Sequence, residues 1–326
     1  METGFTGIYS ILLTPMKEGG EVDLDGLAAL IEHNIKSGIH GLVILGSNGE
    51  FPYLSLDEKK EVIKAASAAV AKRVPLICGA SSASTKGAIA LAGFAEQNGV
   101  DGLLVVLPCY YPLEFKEVLG HYQALCSAVK IPVFYYNIPE LTGLYLSPKE
   151  FKEIMSIPGI IGAKNSQVNF SFFKKILAQT RGMEKAIFTG AEFNLHQMIK
   201  LGAVGAMGPL CNIWPEKVLE VYNAAIAGKD TDAAQAQREL FCLMPLMGGP
   251  ILPEWVAQFS FNLVSRPAFK SFYRAKPTMA MLKEAIRLTG VPITAAVRPP
   301  LPPLTKDDQA VVEKTLARMN KLKSCF

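Results

Sequence analysis

The strongest constraint on this chain is an alternation repeated eight times: a short β-branched or apolar run, then a longer segment of helical period. The runs cover 7–14, 41–46, 75–80, 102–108, 132–137, 159–165, 185–191 and 202–208. Short runs without a polar face suit strands covered on both sides, and the helical segments supply the crossovers that parallel strands require. Eight such units favour an α/β fold closed as a (β/α)8 TIM barrel. The competing doubly wound sheet finds no GxGxxG fingerprint and no P-loop after any run. Helix starts are well marked. Ser55-Leu56-Asp57-Glu58 and Ser147-Pro148-Lys149-Glu150 have the form of capping boxes, and Leu24, Leu27, Leu30, Ile31 and Ile35 form one apolar stripe.

The alternation stops near residue 212. Beyond it the pattern predicts helices over 215–227, 230–246, 252–264 and 277–289, a Pro-rich connection from Val291 to Thr305, and a last helix. The expected division is a barrel over 1–212 and a C-terminal helical extension over 213–326. A length of 326 residues with half of them hydrophobic permits a sizeable core. A formal net charge of +4, with both signs interspersed, carries no nucleic-acid or membrane-surface signature. The six cysteines show no CxxC pair and no zinc spacing with the four histidines, so they read as free thiols in a reducing compartment. Neither a basic leader nor a membrane-length apolar stretch is visible, and a cytoplasmic protein without metal or cofactor is the expectation.

In such a barrel, chemistry sits where the strands end. The sixth run, Gly159-Ile160-Ile161-Gly162-Ala163-Lys164-Asn165-Ser166, closes on an amine in apolar surroundings. Burial favours the neutral form of a lysine, which is the form that attacks a carbonyl. The plainer alternative is a lysine whose stem lies on the sheet rim and whose head reaches solvent or a carboxylate. The second run exits through Gly46-Ser47-Asn48-Gly49-Glu50, a turn able to present N–H groups to an anion; an ordinary βα turn has the same composition. Pro108-Cys109-Tyr110-Tyr111-Pro112 and Tyr135-Tyr136-Asn137-Ile138-Pro139 end the fourth and fifth runs, and tyrosines there could equally be packing. Gly190-Ala191-Glu192-Phe193 follows the seventh. Glu192 could accept hydrogen bonds from a short polyol or serve as a helix N-terminal acid.

Taken in order, GSNGE, PCYYP, YYNIP and GAKNS resemble the dihydrodipicolinate synthase and N-acetylneuraminate lyase family of class I pyruvate aldolases. The resemblance runs from about Gly7 to the segment Arg298 to Thr305. It implies a (β/α)8 barrel with a C-terminal helical extension, assembled as a homotetramer. It implies Lys164 as the Schiff-base lysine, Tyr136 as the proton shuttle, and Tyr110 as a relay residue reaching a neighbouring subunit's site. Gly46, Ser47 and Asn48 would bind the pyruvyl carboxylate, with Gly190 and Glu192 as further substrate contacts. The partners implied are pyruvate and an aldehyde. Leu141 stands where dihydrodipicolinate synthases carry an arginine for the aldehyde's carboxylate, which disfavours that activity. The segments Gly46 to Phe51 and Leu282-Lys283-Glu284-Ala285-Ile286 lean towards 2-keto-3-deoxygluconate-type aldolases. N-acetylneuraminate lyase, 4-hydroxy-2-oxoglutarate aldolase and 2-keto-3-deoxy acid dehydratase remain alternatives within the chemistry. A non-catalytic 2-oxo-acid-binding protein is the alternative outside it.

Overall fold

The computed structural model describes residues 4–167, 169–249, 256 and 278–324. Eight parallel strands close into one barrel in sequence order: β1 (Gly7–Ile11), β2 (Gly41–Ile44), β3 (Leu76–Gly79), β4 (Gly102–Val105), β5 (Val133–Asn137), β6 (Ile160–Asn165), β7 (Ala186–Thr189) and β8 (Gly205–Gly208). Every run read from the sequence contains one strand. Several strands stop early, however, because apolar residues continue past the ladder into buried loops at the barrel's mouth. Leu12, Leu13, Leu45 and Leu107 are examples. Apolarity reports burial, and these parts of the mouth are buried as thoroughly as the wall.

Alternate strand residues divide between two cores, as the two-residue period requires. Ile8, Leu42, Leu103, Val133 and Tyr135 face the surrounding helices. Tyr9, Ile11, Val43, Ile77, Leu104, Phe134, Phe188 and Met207 fill the interior. An aromatic plug dominates that interior. Phe134 meets Phe5 edge to face at 5.3 Å between centroids and Phe188 at 5.9 Å, while Tyr9 meets Phe188 at 5.4 Å. Glycines on neighbouring strands make the room: a Cβ on Gly41 would lie 2.2 Å from the Tyr9 ring, and one on Gly162 would lie 3.0 Å from Phe134. Tyr136 shares the interior face with Phe134, so the plug forms a floor beneath it.

The outer helices are α1 (Leu24–Lys36), α2 (Leu56–Val70), α3 (Thr85–Gln97), α4 (Phe115–Ala128), the one-turn α5 (Pro139–Thr142), α6 (Pro148–Met155), α7 (Phe170–Gln179) and α8 (Leu195–Leu201). Both anticipated capping boxes are formed, at Ser55 with Glu58 and at Ser147 with Glu150. After β8 come α9 (Pro215–Ile226), α10 (Asp230–Leu240) with a 3-10 continuation to Met247, α11 (Thr278–Leu288) and α12 (Lys306–Lys323). A third capping box, Thr305 with Asp308, starts α12. Apart from Val256, the helix expected over 252–264 lies outside the described residues. Trp214, 2% exposed, packs in the outer core, with the amines of Lys217 and Lys323 near its ring. Among the described residues no helix is long and apolar enough to cross a membrane, and the five cysteines are free thiols.

Candidate active site

The β5–β6 ladder pairs Tyr136 with Lys164. Side chains that start opposite each other on adjacent strands, about 4.8 Å apart, converge when both face inward. Lys164 Nζ accordingly lies 4.1 Å from the centroid of the Tyr136 ring. The two are 2% and 4% exposed, which places an amine and a phenol together above the aromatic floor. Gly190 is what lets the lysine lie there. A Cβ at that position would stand 3.0 Å from Lys164 Cε and would collide with Ser166 Oγ. Its N–H instead donates to Asn165 O at 2.8 Å.

Burial by itself raises the Tyr136 phenol. The charge of Lys164, with polar contacts to Lys164, Ser47 and Ser166, outweighs it and holds the phenol below its ordinary value of 10. Ser47 Oγ stands 3.5 Å from the Tyr136 hydroxyl. One residue beyond the pair on each strand, Asn137 Nδ2 donates to Asn165 Oδ1 at 2.6 Å and the Tyr135 hydroxyl donates to Asn137 Oδ1 at 3.0 Å, locking the exits of β5 and β6 together. Ser166 belongs to the Lys164 run and was given no role by sequence reasoning. Its position two residues beyond Lys164, on the same face of an extended strand, is the signal that could have identified it.

The turn after β2 folds into a single 3-10 turn, Ser47–Gly49. Its own bonds run from Gly49 N to Gly46 O and from Glu50 N to Ser47 O, which leaves the N–H groups of Ser47 and Asn48 unused by the turn itself. Two non-glycine residues bracket it in the left-handed region, Leu45 at φ 54° and Glu50 at φ 57°. Such residues cost about 1–3 kcal/mol each and persist only where surrounding contacts over-determine them. Gly79 makes room for the first, since a Cβ there would lie 2.0 Å from Leu45 O. Thr14 Oγ1 donates to Gly49 O at 2.7 Å, and Asn48 Nδ2 lies 3.8 Å from Met279 Sδ on α11.

Two further candidates have other surroundings. Glu192 is buried in a 3-10 turn, Glu192–Asn194, ahead of α8. Its Oε2 accepts from Leu210 N at 2.8 Å and its Oε1 from Cys211 N at 3.0 Å. Both oxygens are therefore engaged by the exit of β8, and the carboxylate works as a clamp between two strand exits, with neither oxygen turned out towards a polyol. Burial pushes its pKa up to about 7 against the opposing pull of those N–H groups. Tyr110 is not brought into the cluster by this chain. It is 85% exposed, and its ring touches Tyr111 edge to face at 5.0 Å. The remaining candidates, Lys164, Tyr136, Ser47, Asn48, Gly46 and Gly190, come from the exits of β2, β5, β6 and β7.

A (β/α)8 barrel whose mouth holds a buried lysine against a tyrosine defines the class of this protein. The particular family follows from comparison with known proteins. The model of the dihydrodipicolinate synthetase family matches residues 4–252, and the chain belongs to that family, whose members are class I lyases. A 4-hydroxy-tetrahydrodipicolinate synthase of Rhizobium meliloti is 34% identical over 304 residues, 90% of this chain and 98% of the relative. YagE of Escherichia coli K12, provisionally named a 2-dehydro-3-deoxy-D-gluconate aldolase, is 30% identical over 321 residues, 98% of each chain. The crystal structure of YagE in complex with pyruvate superposes with a TM-score of 0.85 at 28% identity, covering 97% of this chain and 99% of that one. A Clostridium difficile protein, CdNal, solved with mannosamine, gives 0.84 at 25% identity over 97% and 99% of the two chains.

Proposed function

We propose that this protein is a class I pyruvate aldolase that reversibly cleaves a 2-keto-3-deoxy sugar acid to pyruvate and an aldehyde such as glyceraldehyde. The observation that carries this reading is the buried Lys164 amine 4.1 Å from the Tyr136 ring. The neutral amine attacks the C2 keto carbon, and loss of water leaves a protonated imine that withdraws electrons from C3. Tyr136 removes the proton of the C4 hydroxyl as the C3–C4 bond breaks. The aldehyde departs, and the bonding pair remains as an enamine. Protonation at C3 and hydrolysis of the imine then release pyruvate and return the amine. A phenol near its ordinary value is almost wholly protonated, so the positive charge beside Tyr136, which lowers its pKa and favours the phenolate, suits the step. The N–H groups of Ser47 and Asn48 hold the substrate's carboxylate. In this reading Tyr110 completes the proton relay in a neighbouring subunit of a homotetramer.

Substrate choice rests on the exit of β5. Leu141 lies in α5, is 63% exposed, and offers no charge to a second carboxylate. The resemblance to YagE along almost the whole chain points the same way. Several relatives are named 4-hydroxy-tetrahydrodipicolinate synthase, so that condensation is the reading to exclude. The experiment is a comparison of kcat/KM for 2-keto-3-deoxygluconate cleavage, read as pyruvate formed, with kcat/KM for condensation of pyruvate with a carboxylate-bearing aldehyde. Cleavage should dominate, and Leu141→Arg should shift the ratio towards condensation. Dominant condensation by the unaltered protein would refute the substrate assignment while leaving the imine chemistry intact.

A further inference from the structure

The turn that presents Ser47 and Asn48 is held from behind by a buried ion pair between Glu50 and Lys283. Glu50, which ends the turn at φ 57°, is 1% exposed. Its Oε1 pairs at 2.5 Å with Nζ of Lys283 on α11, and its Oε2 accepts the backbone N–H of Arg298 at 2.8 Å. Lys283 is 0% exposed and also donates to Ala296 O at 2.7 Å. Arg298 is pinned in turn, through Nη2 to Glu58 Oε1 at 2.6 Å, at the start of α2, the next α-helix after the turn. One helical turn before Lys283, on the same face of α11, Met279 reaches Asn48.

A fully buried ion pair is a poor way to gain stability, since an apolar pair of the same shape commonly serves as well or better. What it supplies is direction. The two charges and the Arg298 N–H fix where the Glu50 carboxylate can lie, and that in turn over-determines the left-handed backbone at the end of the turn. Resting on the aldolase reading of the site, we propose that Lys283, together with the Arg298 N–H, positions the Ser47-Asn48 turn through Glu50, so that α11 and the Pro-rich strap set the affinity for the 2-oxo acid's carboxylate. Lys283 is then a positioning residue, and the C-terminal segment is part of how the carboxylate site is built.

The test compares the whole protein with Lys283→Met, with Glu50→Gln, and with the double variant, which removes both charges and is the one to use should the lone buried charge left by Lys283→Met prevent folding. Two readouts are taken below the melting transition of each. Hydrogen exchange of the amides in 46–53 should quicken about tenfold or more, while the amides of β5 and β6 keep their protection. The KM for pyruvate should rise about tenfold with kcat changed less than about threefold, because binding of the carboxylate is loosened while Lys164 and Tyr136 stay in place. Unchanged exchange at 46–53, or exchange that rises there and in β5 and β6 alike, would overturn the proposal; the second result would mean that the pair serves only global stability. Borohydride trapping of the unaltered protein with pyruvate separates the two ideas. A protein without adduct refutes the aldolase reading, and the exchange measurement still decides whether Lys283 braces the turn.

Discussion

The exits of β2 and β4 both read as site material in the sequence, and the folded chain treats them in opposite ways. After β2 the backbone is strained at Leu45 and Glu50 and held by Thr14, Lys283 and the Arg298 N–H. After β4 the side chains of Tyr110 and Tyr111 are 85% and 74% exposed and touch each other. One exit is finished by its own chain. The other presents two aromatic rings to whatever lies outside, and two neighbouring exposed rings are a costly way to meet water. The difference separates two tasks in the proposed reaction. In that proposal the holding of the 2-oxo acid falls to the single chain and the far end of the proton relay to a second copy.

The largest expected effect lies at the chemistry common to both exits. Lys164→Ala should abolish imine formation and lower kcat/KM by at least about 10^4-fold, as removal of a nucleophile does elsewhere; pyruvate turnover above that floor would take the reaction away from Lys164. Tyr136→Phe should cut kcat by about 10^2 to 10^4-fold, the range for a lost acid–base group. Its imine should still form, because the lysine and the carboxylate turn are intact, and the adduct is read by mass spectrometry.

Tyr110→Phe tests the comparison itself and should cost about tenfold in kcat, less than the loss of a group that takes the proton directly. The loss should match that produced by diluting the unaltered protein until the assembly, followed by ultracentrifugation, comes apart. Full turnover by monomers would remove Tyr110 from the relay and leave the β4 exit as surface.

The last effect falls on stability and leaves turnover aside; it concerns Glu192, which finishes the β7 and β8 exits as Glu50 finishes that of β2. Its carboxyl is raised to about 7 in the fold from an ordinary value of 4.5. The unfolded chain therefore releases this proton first as pH climbs. The stabilising contribution is complete below pH 4.5 and is lost as pH rises through 7, on the order of 3 kcal/mol if the whole shift is realised. Denaturant melts across that window should show the decline, and Glu192→Gln should flatten it. A decline unchanged in Glu192→Gln would assign the pH dependence to other groups.

Much of this architecture is legible in the sequence, for physical reasons that differ by element. The strands announce themselves because each is buried on both faces, and the capping boxes because each is a local hydrogen-bond exchange spanning four residues. Lys164 and Tyr136 are legible because strand register converts two separate motifs into one contact. What stays hidden depends on distance along the chain. Lys283 looks like any helical lysine until Glu50 is seen against it, and Glu192 shows its carboxylate only once the β8 exit folds back over it. The strand ends were overestimated at β1, β2 and β4 for a related reason: hydrophobicity marks the edge of the solvent, and at this mouth the solvent begins well beyond the last ladder bond.

The most direct test of the central claim is reduction with borohydride in the presence of pyruvate, followed by intact-mass and peptide mass spectrometry. One reduced pyruvate per chain, located on Lys164 and missing in Lys164→Ala, is the predicted result. A chain that binds pyruvate measurably yet carries no adduct would contradict the account and leave a 2-oxo-acid-binding protein on a barrel of this family.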